Sequence, residues 1–134
     1  MAKTENQHQY PNQYIPGVCN IGPAEIRLRK RLGWWGLLAT IVLWAALVWF
    51  RLPAELRLIL FIPVFFSANG FLQGFMHFCA GFGMRGLFNF GPAIGKTDTV
   101  SQAEFRKKDS RKSQQIFAYA LIIGIVVALI AVFV

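Results

Sequence analysis

Acidic residues are scarce in this chain and absent from its long hydrophobic runs. Six Asp or Glu stand against 14 Lys or Arg in 134 residues. The acids are Glu5, Glu25, Glu55, Asp98, Glu104 and Asp109, and all fall in expected loops or helix ends. Hydrolases and phosphotransferases gather carboxylates, or a nucleophile and its base, in one cleft. No such pairing is visible here. P-loop, G-x-S-x-G, H-E-x-x-H and C-x-x-C patterns are all missing. Gly95-Lys96-Thr97 has the ending of a P-loop without its first glycine or its strand, and reads as a turn. Two cysteines, Cys19 and Cys79, are too few for a disulfide framework. The first 22 residues, with many Gln, Asn, Tyr and Pro, lack the apolar stretch of a signal peptide.

Apolar residues are abundant instead, at 55% of the chain. A soluble domain this small would struggle to hide them, whereas a bilayer is itself an apolar solvent. The expected architecture is an all-α integral membrane protein with three transmembrane helices. It has a basic N-terminal arm and a basic loop between spans two and three. The net charge of +8 flanks the apolar runs, which points to anionic headgroups and not to nucleic acid.

The expected division is a single membrane domain. Residues 1–31 form the arm and basic pre-helix, 32–50 span one, and 51–57 the outer loop. Residues 58–84 form span two, 85–115 the inner loop and second pre-helix, and 116–134 span three. Span one, Leu32 to Phe50, has 19 uncharged residues, or ~28 Å of helix against a core of ~30 Å. Trp34, Trp35 and Trp49 mark its interfaces. Span two has 27 uncharged residues, too many for the core, with Pro63 as the expected kink and Pro53 in the first turn.

Twelve basic residues lie in the arm and the 2–3 loop, and only Arg51 and Arg57 in the opposite loop. This bias places the N-terminus in the cytoplasm and the C-terminus outside the cytoplasmic (inner) membrane. Arg27, Arg29, Lys30, Arg31, Arg106, Lys107, Lys108, Arg111 and Lys112 are the expected contacts with anionic lipid.

Local signals refine the cytoplasmic side. Gly22-Pro23-Ala24-Glu25 reads as a helix start. Gly33 and Gly36 leave room for a bend. Ser101-Gln102-Ala103-Glu104 fits a capping box that starts the third helix. Asn20-Ile21-Gly22-Pro23-Ala24 recurs as Asn89-Phe90-Gly91-Pro92-Ala93. The simpler reading is one turn used twice. The sharper reading is a paired cap that docks on the helices or a partner.

Span two is the most informative. At ~100° per residue, Phe71, Phe75, Phe78 and Phe82 form a lipid-facing stripe. Asn69, Gln73 and His77 lie opposite, with Gly70 and Gly74 as a GxxxG at the edge. Polar groups are costly in hydrocarbon, so that face should meet protein or water. Ser67 falls on the Phe side, where it bonds its own helix backbone.

The leading expectation is a non-enzymatic accessory or structural subunit, or a homo-oligomer, that acts through helix–helix contacts among membrane lipids. One alternative is a polar pathway through an oligomer, lined by Asn69, Gln73 and His77. Another joins Cys19, His77 and Cys79, with His8 nearby, in a metal or haem site, or uses Cys19 and His77 on lipid. His77 and Cys79 project ~160° apart on a regular helix, so a shared ion needs the helix to unwind. No cofactor is expected on the leading reading.

Overall fold

The computed structural model describes residues 14–134. Helix α1 spans Pro23–Trp49, a 3-10 helix spans Ala54–Leu60, and α2 spans Phe61–Met76. A one-and-a-half-turn α3, Ala80–Arg85, leads into strand β1, Leu87–Phe88. Strand β1 pairs antiparallel with β2, Asp98–Thr99, and α4 then runs over Ala103–Phe133. Three helical stretches are long and apolar enough to cross a membrane: Pro23–Trp49, Ala54–Met76 and Ala103–Phe133.

Helix α1 starts where Gly22-Pro23 announces it, with Gly22 as N-cap and Glu25 in the first turn. The helix runs unbroken through Gly33 and Gly36. They are the floor on which α2 packs. A Cβ on Gly36 would lie 2.8 Å from Ser67 Cα, and one on Gly70 would lie 2.8 Å from Arg29 O. The two backbones therefore touch, as small residues permit. Ser67, expected to bond its own helix, donates to Gly33 O across this contact at 2.7 Å.

The expected helix over 58–84 is two helices with a break. The first part is 3-10, and the α form begins at Phe61. Pro63 lies inside the first α turn, where its missing N–H costs little, so the irregularity precedes the proline. The helix then ends at Met76. His77 adopts the left-handed conformation, φ 55°, and Phe78 N–H returns to Gln73 O at 3.0 Å. This is a Schellman-type stop without glycine. The break re-aims the expected Phe stripe. Phe75 stays 67% exposed, whereas Phe78 is fully buried against Ala80 and Ile116. Phe82 packs on Ile21, Ile26 and Cys79.

Helix α4 begins within two residues of the expected start, but the capping box does not form: Gln102 is the N-cap, and no side chain caps the helix. Its buried stripe is Ile116, Ala120, Gly124 and Ala128, spaced by four. A Cβ on Gly124 would lie 2.8 Å from the Phe61 ring, so α2 seats on this stripe. At the far end Leu47, Leu60 and Ala131 form a small apolar cluster. There Arg57 Nη1 donates to Ala131 O at 3.1 Å, a cation at the negative end of α4.

Helix α2 is the centre of the fold. It packs on α1 along one side and on α4 along the other, while α1 and α4 make little contact with each other. The result is an open layer of three helices and not a closed bundle.

Candidate functional site at the basic end

The two Asn-x-Gly-Pro-Ala segments meet. Ile21 and Asn89 form a parallel bridge. Gly22 N–H donates to Asn89 O at 2.8 Å, and Asn89 N–H to Asn20 O at 3.0 Å. A Cβ on Gly22 would lie 3.0 Å from Phe90 Cα, which explains the glycine. So the repeat forms a paired cap as well as a helix start.

Each repeat buries its asparagine and uses the amide as a surrogate backbone. Asn20 Oδ1 accepts from Cys79 N–H at 2.6 Å, and its Nδ2 donates to Cys79 O at 3.1 Å. Asn20 N–H also donates to His77 O at 3.1 Å. The unwound segment 77–79 thus recovers the partners that a helix would have supplied. Asn89 Nδ2 donates to Glu25 Oε1 at 3.0 Å and to Ala93 O at 2.9 Å, while its Oδ1 accepts from Gly91 N–H at 3.0 Å.

Glu25 and Asp109, the two fully buried carboxylates among the described residues, organise this end. Glu25 Oε1 also accepts from Gly95 N–H at 2.8 Å. Its Oε2 faces Arg29 Nη1 at 3.0 Å, an ion pair without hydrogen-bond alignment. Arg29 reaches further. Nε donates to Gln73 Oε1 at 3.3 Å, and Nη2 lies 3.0 Å from Cys79 Sγ. The guanidinium also sits 5.7 Å from the Phe82 ring centroid. Expected to face lipid headgroups, Arg29 turns inward, where Glu25 answers its charge and Gln73 and Cys79 accept its hydrogen bonds.

Asp109 fastens the arm to α4. Its carboxylate accepts from Tyr14 Oη at 2.5 Å and from Gly17 N–H at 2.8 Å. Tyr14 stacks on Phe88, with centroids 4.9 Å apart. Burial, then the hydrogen bond to Asp109 and its charge, push the Tyr14 phenol far above its usual range. On α3, a Cβ on Gly83 would collide with Ser113 Oγ, and Asp109 O lies 2.9 Å away. Helices α3 and α4 therefore touch where Asp109 is held.

The remaining expected site residues separate. Asn69, Gly70, Gln73 and Gly74 lie along α1, with Gln73 Nε2 donating to Asn69 Oδ1 at 2.6 Å. His77 leaves that line when the helix ends. Its backbone turns the chain, and no side-chain hydrogen bond forms to its ring among the described residues. Cys19 is buried and donates to Ile21 O at 3.7 Å, and burial pushes the pKa of its thiol up. Cys79 is buried, with Arg29 at its sulfur. The unwinding that a shared His77–Cys79 ion needs does occur. Even so, no three His, Cys, Asp or Glu side chains converge for a metal among the described residues. His8 lies outside those residues.

Of the other cations, Arg27, Arg31, Arg106, Lys107, Lys108 and Arg111 are exposed, while Lys30 and Lys112 are half-buried. Lys30 Nζ lies 5.0 Å over Phe75. Sequence reading missed Asn20, Glu25, Asn89 and Asp109 as interacting groups. The shared Asn of the repeats and the four-residue spacing of Glu25 and Arg29 were available signals. Nothing in sequence linked Tyr14 to Asp109.

No protein-family model matches the chain, and neither a curated protein nor a solved structure matches it significantly.

Proposed function

We propose that this chain is a non-enzymatic membrane subunit that works by helix–helix contact with another membrane helix. That helix comes from a second copy or a different subunit. The observation that carries this reading is the open layer. Helices α1 and α4 flank α2 without closing over it. The hollow left on one face, about 380 Å³, is lined by Leu37, Thr40, Phe71, Ile123 and Val127. Its walls come from three helices and are almost wholly apolar, the surface on which a transmembrane helix seats.

The chemistry of the basic end supports the same reading. Glu25, Asp109, Arg29, Asn20 and Asn89 are engaged in holding the chain together. A metal ion shared by Cys19, His77 and Cys79 would need all three to face one point, and no three such side chains converge among the described residues. The charge bias supports a cytoplasmic N-terminus in the inner membrane, with the paired cap and exposed cations at the cytoplasmic headgroups.

The test is gentle detergent extraction followed by mass measurement in solution and cross-linking. With Leu37→Cys or Ile123→Cys, a specific cross-link to a second chain of defined mass is the expected result. A monodisperse monomer that captures no membrane protein overturns the proposal.

A further inference from the structure

On the other face of the layer, a groove of about 590 Å³ runs between α1 and α2. Its polar end holds Arg29, Gln73 and Cys79, and its length is walled by Gly36, Ala39, Pro63 and Phe66. Its size falls within the ~300–1,000 Å³ usual for small-molecule sites.

A directed hydrogen-bond chain enters this groove. Arg29 Nε and Ala80 N–H both point at one atom of the Gln73 amide, each at 3.3 Å. Both are obligate donors, so that atom is the oxygen. Gln73 Nε2 must then donate, and does so to Asn69 Oδ1 at 2.6 Å. The Asn69 orientation follows, and its Nδ2 is left as the terminal donor. No acceptor meets Nδ2 among the described residues, and Asn69 lines the groove. Asn69 lies four residues, ~6 Å, from Gln73 toward the far end of α2. An unanswered N–H₂ group at that depth is costly in hydrocarbon.

We infer that the groove binds one glycerolipid, with an ester carbonyl accepting from Asn69 and an acyl chain lying along Ala39, Pro63 and Phe66. The depth fits this chemistry. The ester region lies just inside the headgroups, where Asn69 falls if Arg29 marks the interface. An ester carbonyl supplies the acceptor that the chain of donors lacks, and the methylenes cover the apolar walls. The inference rests on the membrane-spanning reading above, but not on the proposed partner helix, which uses the opposite face.

The test reconstitutes the full chain in bilayers with equal amounts of a diester phosphatidylcholine and its diether analogue of the same chain length. After gentle extraction, native mass spectrometry counts the retained lipid. One lipid per chain is expected, with ester preferred over ether by about fivefold, the worth of one hydrogen bond. Asn69→Leu should bring that ratio to about one. Ala39→Phe, which touches none of the polar chain, should expel both lipids while the helical signal is unchanged.

No retained lipid, an unchanged ratio in Asn69→Leu, or full retention in Ala39→Phe overturns the inference. So does conversion of a dimer to a monomer by Ala39→Phe, which would make a second copy the occupant. A monomer that keeps its lipid removes the proposed subunit role alone.

Discussion

The basic end and the helical layer hold together by different means. The layer is fastened by small residues. Gly36 and Gly70 bring α1 against α2, and Ala120, Gly124 and Ala128 seat α2 on α4. The basic end is fastened by directed polar contacts: two buried carboxylates, two buried asparagines and one inward arginine. Apolar contact between helices in lipid carries little directional information. Hydrogen bonds fix partners and angles. The layer therefore sets how closely helices approach, and the basic end sets which segments meet.

The sharpest way to break the basic end is to leave Glu25 buried without its cation. Arg29→Met should cost about 4 kcal/mol, the scale for breaking one partner of a buried pair. Adding Glu25→Gln should recover part of that loss, and thermal unfolding in detergent of both single variants and the double reads the coupling. Equal losses for the single and double variants would show that Arg29 acts through packing.

The matching break in the layer is Gly70→Val. Its Cβ would meet the backbone of Arg29 and Gly33 at 2.8 Å, which no rotamer relieves. A loss of about 3 kcal/mol is expected from overpacking. Proteolysis of the connection between α1 and the 3-10 helix should rise with it.

Removing the Tyr14 hydroxyl separates the arm from the rest of the basic end. Tyr14→Phe should cost about 1.5 kcal/mol at neutral pH and expose residues 14–19 to protease. The sign of the pH effect follows from the raised phenol. A proton held more tightly in the folded state contributes fully below the ordinary tyrosine value of about 10 and is lost as pH rises above it. The wild-type arm should loosen in alkali through this group, and Tyr14→Phe should lack that component.

The smallest effect is expected at Ser67→Ala. It removes one bond between α1 and α2, worth about 0.6 kcal/mol in such settings. A loss above that of Tyr14→Phe would mean that the layer, too, is specified by a polar contact.

The amino-acid sequence alone determined the three helical stretches. Their uninterrupted apolar lengths are local properties, as is the start at Gly22-Pro23. It also exposed Asn69 and Gln73 as polar groups in an apolar run, whose needs their mutual bond four residues apart meets only in part. Tertiary structure decided the rest. The helix stops at His77, within an apolar run that shows no breaker. The stop is sustained by Asn20, whose amide bonds Cys79 from 59 residues away. Arg29 turns inward for the same kind of reason, because Gln73 and Cys79 arrive from α2 and its unwound end. Asp109 is buried because Tyr14 and Gly17 reach it across more than 90 residues. Helix length and hydropathy are summed along the chain, whereas the satisfaction of a buried polar group depends on what the fold brings beside it.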